Sequence, residues 1–303
     1  MTRSLAAVPA AALGVALMLS GCAERSDAGA AAPPTTESPA EPAPTAQLPA
    51  EGLVLQVAQK GGFVTPEMLA ARLPMVSVHA DGRVISTGPV PAIYPGPAWP
   101  NMQVQQADPS AVRSLVDAAL AAGVAEDTDL GSPPVADATT TRFTVTTAEG
   151  TAVREVYALY EGEGVGTGLS ADQQQARQEL AELAARLTDL PLTLGPEGTA
   201  PASYEPDAVA AIVRPWTATE DDGLPDDQQA LPVQPWPGPA LPGEPLGPGI
   251  TCVLATGEQA RSVQQAALGA TTLTPWRSED GALWSVTFRP LLPGEAGCAD
   301  LAG

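Results

Sequence analysis

The sequence predicts an α+β protein made of two small antiparallel sheets, each covered by helix. Three observations lead there. Alternating runs such as "MVSVHADGRVIS" and "TTRFTVTT" have the period of half-buried strands. Apolar stripes at helical spacing begin near Pro109 and after Ser170, and the order of these elements recurs in the second half of the chain.

In chain order, the run from 75 to 87 reads as a hairpin, with Asp81 and Gly82 as the turn between Val76/Val78 and Val84. Asp108 is placed to cap a helix starting at Pro109, because an aspartate can satisfy an orphan N–H and a proline at the first helical position has none to lose. Its apolar face is Val112, Leu115, Val116, Ala119 and Leu120, and Gly123 ends it. "TTRFTVTT" and "AVREVYALY" follow as strands joined through Glu149 and Gly150. Ser170 and Gln173 spell a capping box for a longer helix whose buried stripe is Ala176, Leu180, Leu183 and Leu187. That stripe is too short for coiled-coil heptads and reads as packing on a sheet.

Two distant stretches resemble each other, "YPGPAWP" at 94–100 and "WPGPALP" at 236–242. Beyond them "VRSLVDAAL" at 112–120 meets "ARSVQQAAL" at 260–268, and the strands at 138–156 meet "ATTLTPWRSEDGALWSV". "AVAAIVRPW" supplies the strand that precedes the second copy. An internal duplication is therefore expected, with Arg113 equivalent to Arg261 and Tyr94 to Trp236. Between the copies, 217–249 is rich in proline and carries the acidic run "EDDGLPDD". It reads as a surface loop, since it lacks the Asp spacing and distant glutamate of a calcium loop.

Met1 to Arg3 form a short basic end, and residues 5–19 are almost wholly apolar before Ser20 and Gly21, the layout of a secretory signal. As a helix that stretch spans roughly 22 Å, short of the ~30 Å bilayer core. Leu19, Ser20, Gly21 and Cys22 resemble the lipobox of bacterial lipoproteins. That resemblance implies cleavage after residue 21 and a diacylglyceryl group on Cys22, which anchors the protein to the outer face of the cell membrane. Residues 22–50, dominated by Ala, Pro, Thr, Ser and Glu, then form a disordered tether. Lys60 is the single lysine of a chain rich in Ala, Pro and Gly, and this usage with the tether resembles actinobacterial lipoproteins of unknown function. The remaining chain divides into an N-terminal subdomain at 51–200 and a C-terminal one at 201–303.

The net charge is −21, with 14 basic against 35 acidic residues, which disfavours nucleic acid and electrostatic docking on anionic lipid. Setting Cys22 aside leaves Cys252 and Cys298, an even pair expected to form a disulfide in an exported, oxidising setting.

Chemistry is approached by exclusion. A single histidine, His79, cannot build a zinc site with two imidazoles, and Cys-x-x-Cys is absent. No Gly-x-Ser-x-Gly, Walker or Ser-x-x-Lys motif occurs, and "GEGVGTG" at 162–168 lacks a following Lys-Ser/Thr. Neither a metal nor a cofactor is expected. Tyr94, Trp99 and Trp236, on rigid proline loops, are the candidate binding rings, or else plugs of the two sheets. The expectation is a non-catalytic binding or scaffolding protein of the cell envelope, with an envelope protein or cell-wall component as partner. The alternative is a hydrolase of envelope material working through paired carboxylates.

Overall fold

The chain enters its fold earlier than its composition suggests: Ala46 N–H donates to Asp117 Oδ1 at 3.2 Å, and Ala148 N–H to the Gln47 carbonyl at 2.8 Å. The computed structural model describes residues 46–161, 166–189, 194, 198–217 and 232–301. The segment expected to be a signal, Cys22, the part of the expected tether before residue 46 and the acidic run at 220–227 lie outside the described residues. Among the described residues two sheets predominate over four helices, a mixed α/β fold.

The first sheet has seven strands, β1 (Leu53–Gly61), β2 (Val76–His79), β3 (Arg83–Thr87), β4 (Met102–Gln106), β5 (Thr139–Thr147), β6 (Gly150–Tyr157) and β7 (Ala202–Ser203). Their order is β6-β5-β1-β2-β3-β4-β7, and every neighbouring pair is antiparallel. β1 was not among the strands expected from sequence, yet it lies between β2 and β5. The β2–β3 hairpin forms at the expected turn, where Gly82 has φ +88°. A Cβ there would lie 2.4 Å from the Ala107 carbonyl oxygen, so only glycine fits.

Helices α1 (Pro66–Ala70), α2 (Pro109–Ala121) and α3 (Ala171–Thr188) precede the second sheet. Val112, Leu115 and Val116 of α2 and Leu180, Leu183 and Leu187 of α3 pack on Leu55, Val57, Val76, Val78, Phe143 and Val145. The capping box of α3 is formed, with Gln173 N–H donating to Ser170 Oγ at 3.2 Å and Ser170 N–H to Gln173 Oε1 at 2.9 Å. The expected Asp108 cap is not: Asp108 holds the cap position in extended backbone, but its side chain makes no capping hydrogen bond. Proline at the next position already removes one orphan N–H, which lessens what a cap would satisfy.

The second sheet has six strands, β8 (Ala208–Pro215), β9 (Gln234–Pro235), β10 (Glu244–Gly247), β11 (Ile250–Thr256), β12 (Trp276–Arg277) and β13 (Leu283–Pro290). Their order is β10-β11-β8-β13-β12-β9, antiparallel except for β9 beside β12. The stretch at 217–249, expected to be a loop, supplies both edge strands, β9 and β10. Proline is tolerated there because an edge strand has a side that need not donate to a ladder. Val209, Ala211 and Val213 of β8 face α4 (Gly257–Leu268), while Ala210 and Ile212 face Ala70 of α1, Leu291 and Leu301.

The duplication expected from sequence is not shown. β1 and β8 each lie third in their sheet, β1 beside β5, which follows α2, and β8 beside β13, which comes after α4 and the short β12. The sheets differ in strand number, in the parallel pair and in α3, which has no counterpart among the described residues of the second half.

The sheets meet through Ile85, Met102 and Leu292, with Leu73, Val104 and Tyr204 against them. Tyr204 Oη donates to the Leu291 carbonyl at 2.8 Å. Burial, with Asp207 adding to it, pushes this hydroxyl up to about 12, so it remains a donor over any ordinary pH.

Candidate functional site

Alternation along β2 sends Val76 and Val78 to the helices and Ser77 and His79 to the opposite face of the sheet. Register places Gln56 of β1 opposite Ser77, and Gln56 Nε2 donates to Ser77 Oγ at 3.0 Å. Farther along the same face, Ile85 is covered by Leu292. Short of that cover the face opens into a cleft of about 680 Å³, within the range of ligand pockets. Gln56, Ser77 and His79 form its floor, and the turn Leu292–Glu295 faces them.

An ion pair builds that wall. Arg289 is almost wholly buried and grips Glu295 with both arms, Nη2 to Oε1 at 2.6 Å and Nη1 to Oε2 at 3.0 Å. The same Oε2 accepts the Leu292 N–H at 2.6 Å, which closes the turn. At the rim, Arg83 Nε donates to Asp81 Oδ2 at 2.8 Å. Burial alone would raise the Asp81 carboxyl, but hydrogen bonds and charge from Arg83 outweigh it and hold the carboxyl below its usual range. Among the described residues no group of three or more His, Cys, Asp and Glu could hold a metal ion.

His79 is 2% exposed, and its Nε2 has no hydrogen-bond partner. Burial disfavours the imidazolium and Arg83 adds repulsion, while Asp81 opposes them only in part, so its pKa lies below the ordinary 6.5. The other charged groups around the cleft are Glu51 and Glu295. The unfolded chain therefore takes up this proton more readily than the folded one. The stability due to neutral His79 is fully present above about pH 6.5 and is lost as pH falls through the folded value. The melting temperature is expected to fall between about pH 7 and about pH 5, and the fall to shrink in His79→Gln; circular dichroism at both pH values checks it. An identical fall in the variant would assign the pH response to other groups.

The candidate rings lie elsewhere. The 94–100 loop crosses to the second sheet, where Ala98 N–H donates to the Ala270 carbonyl at 3.0 Å and Thr272 N–H to the Gly96 carbonyl at 2.9 Å. Trp99 and Trp236, from the two similar loops, both pack on Phe288, with ring centroids 6.2 and 6.3 Å away. Tyr94 is 62% exposed, between exposed Ile93 and half-buried Pro95, with exposed Val90 four residues before it. Tyr94→Ala is expected to change stability by less than about 0.5 kcal/mol, as at surface sites without special contacts, and a urea titration reads it. A change above about 2 kcal/mol would show that the ring is part of the packing.

Cys252 and Cys298 are disulfide-bonded, with Cα atoms 6.1 Å apart. Cys22 lies outside the described residues. The sequence places His79 on a strand without marking a site there, and no motif in it marks Glu51, Gln56, Ser77 or Glu295. The alternation of "VSVH" puts Ser77 and His79 on one face; nothing local joins them to residues 292–295.

No protein-family model matches this sequence, and neither a curated protein nor a solved structure matches it. No helix among the described residues is long and apolar enough to cross a membrane.

Proposed function

We propose that this chain is a lipid-anchored, extracytoplasmic binding protein of the cell envelope, held at Cys22 and taking its ligand in the cleft behind the first sheet. The observation that carries the reading is that two of the cleft's acids are already committed, Asp81 to Arg83 and Glu295 to Arg289. A hydrolase of the glycosidase type needs one carboxyl kept protonated near neutral pH and a second free to act on substrate. Asp81 is shifted the opposite way. The hydrolase reading retains one supporting feature, that Glu51, Asp81 and Glu295 line a single cleft. Incubation of the purified protein with envelope extract separates the two. Material recovered unaltered from the protein supports binding, whereas continuing release of cleaved product supports hydrolysis.

The anchor is tested separately. The lipobox-like Leu19–Cys22 supports it, and Cys22→Ala is expected to abolish incorporation of an alkynyl fatty acid and to move the protein out of the membrane fraction. Its thermal melt should be unchanged, because the described fold begins well after Cys22. Labelling that persists in Cys22→Ala would refute the anchor.

A further inference from the structure

The cleft's fixed charges are matched within the protein, and this restricts what it can hold. Carrying a charged ligand out of water is unfavourable unless an opposite charge is free to meet it. Arg83 is paired with Asp81, and Arg289 is gripped by Glu295 from behind the wall. Glu51 makes no ion pair among the described residues, but it is exposed at the rim and faces solvent. The net charge of −21 further repels anions.

What the cleft offers instead is groups that both give and accept hydrogen bonds. Ser77 Oγ accepts from Gln56, so its own proton is free to donate. Ser77 is 1% exposed, and no protein acceptor takes that proton among the described residues. Neutral imidazole has one donor and one acceptor nitrogen, and the buried Nε2 of His79 is unmatched in the protein. Asp81 and Glu295 each keep lone pairs beyond those their arginines use. Leu53 and Pro293 add apolar surface beside these polar groups.

Hydroxyl groups on a carbon skeleton match this pattern. Each both donates and accepts, carries no charge to desolvate, and leaves C–H surface for the apolar side. Resting on the reading that this cleft is the binding site, we infer that its ligand is an uncharged saccharide. Its hydroxyls exchange hydrogen bonds with Ser77, His79 and the carboxylate oxygens, and its C–H face lies on Leu53 and Pro293.

The single histidine provides the readout, since the imidazole signals of the whole chain come from His79 alone. The whole protein, labelled at histidine and kept in a non-glycosidic detergent, is titrated with neutral and N-acetylated disaccharides, with spermidine, with citrate, and with envelope extract. A saturable shift of the His79 ring with a disaccharide is expected, weakened at least tenfold in Ser77→Ala, and absent with spermidine and citrate. Shifts produced by spermidine, citrate or extract, but by no saccharide, would overturn the ligand class and leave the cleft as a binding site. A saccharide shift of equal affinity in Ser77→Ala would place the sugar outside the cleft and overturn the proposal. A ring indifferent to every probe and to the extract would remove the binding reading itself.

Discussion

Phe288→Ala is expected to cost about 3–5 kcal/mol, the range for removing a buried ring whose surroundings cannot collapse. Phe288 is the ring on which three tryptophans meet: Trp276 at 5.5 Å, Trp99 at 6.2 Å and Trp236 at 6.3 Å between centroids. Trp99 arrives on a loop from the first half and Trp236 on a loop from the second, so the lost ring supports both. The hole cannot collapse easily, because Phe288 lies on β13, paired with the central β8 of its sheet. Urea unfolding followed by tryptophan emission should show a lowered midpoint, with emission of the folded state moved to the red. A loss below about 1 kcal/mol would mean that backbone hydrogen bonds hold the two loops without the ring.

Breaking the Cys252–Cys298 bond is expected to cost about 4 kcal/mol on the chain-entropy model, given its sequence separation of 46. The closed loop contains most of β11 together with α4, β12 and β13, so the bond restricts the later half of the second sheet in the unfolded chain. In the folded chain it pins the segment that covers the back of β8. Leu301 of the short 3-10 turn Cys298–Leu301 packs there with Ala210, Ile212 and Ile250. Asp300 ties the same turn by accepting N–H donors from Ala296 at 2.6 Å and Gly297 at 3.0 Å. Its carboxyl sits below its usual range for that reason. A Cys252→Ala/Cys298→Ala protein should unfold at lower urea and be cut first near its C-terminus under limited proteolysis. Equal midpoints for the oxidised protein and for protein with both thiols shown free would overturn the assignment of stability to this bond.

The parts legible in the sequence are those written in neighbouring residues. The β2–β3 turn needs a glycine beside Asp81, the α3 start needs a serine three residues before Gln173, and the α2 stripe repeats at helical spacing; all three stand in the fold. The cysteine pair was legible by elimination. A mixed fold with helices on sheets follows from these pieces, because each apolar face has to be covered. Three strands, β1, β9 and β10, are not legible, because their environment, not their composition, decides them. β1 is a strand because it fills the gap between β2 and β5, and the proline-rich stretch yields β9 and β10 because sheet edges tolerate a missing donor.

Only the tertiary structure brought the 94–100 and 236–242 loops onto one ring, and only it assembled the cleft. Sequence alternation puts Ser77 and His79 on a face, but both faces of a sheet look alike until something covers one. The cover at 292–295 is more than 200 residues away along the chain, and its shape depends on Arg289 meeting Glu295. A local pattern carries no term for such a contact; it exists because two sheets packed with Ile85 against Leu292 leave the polar end of that face open.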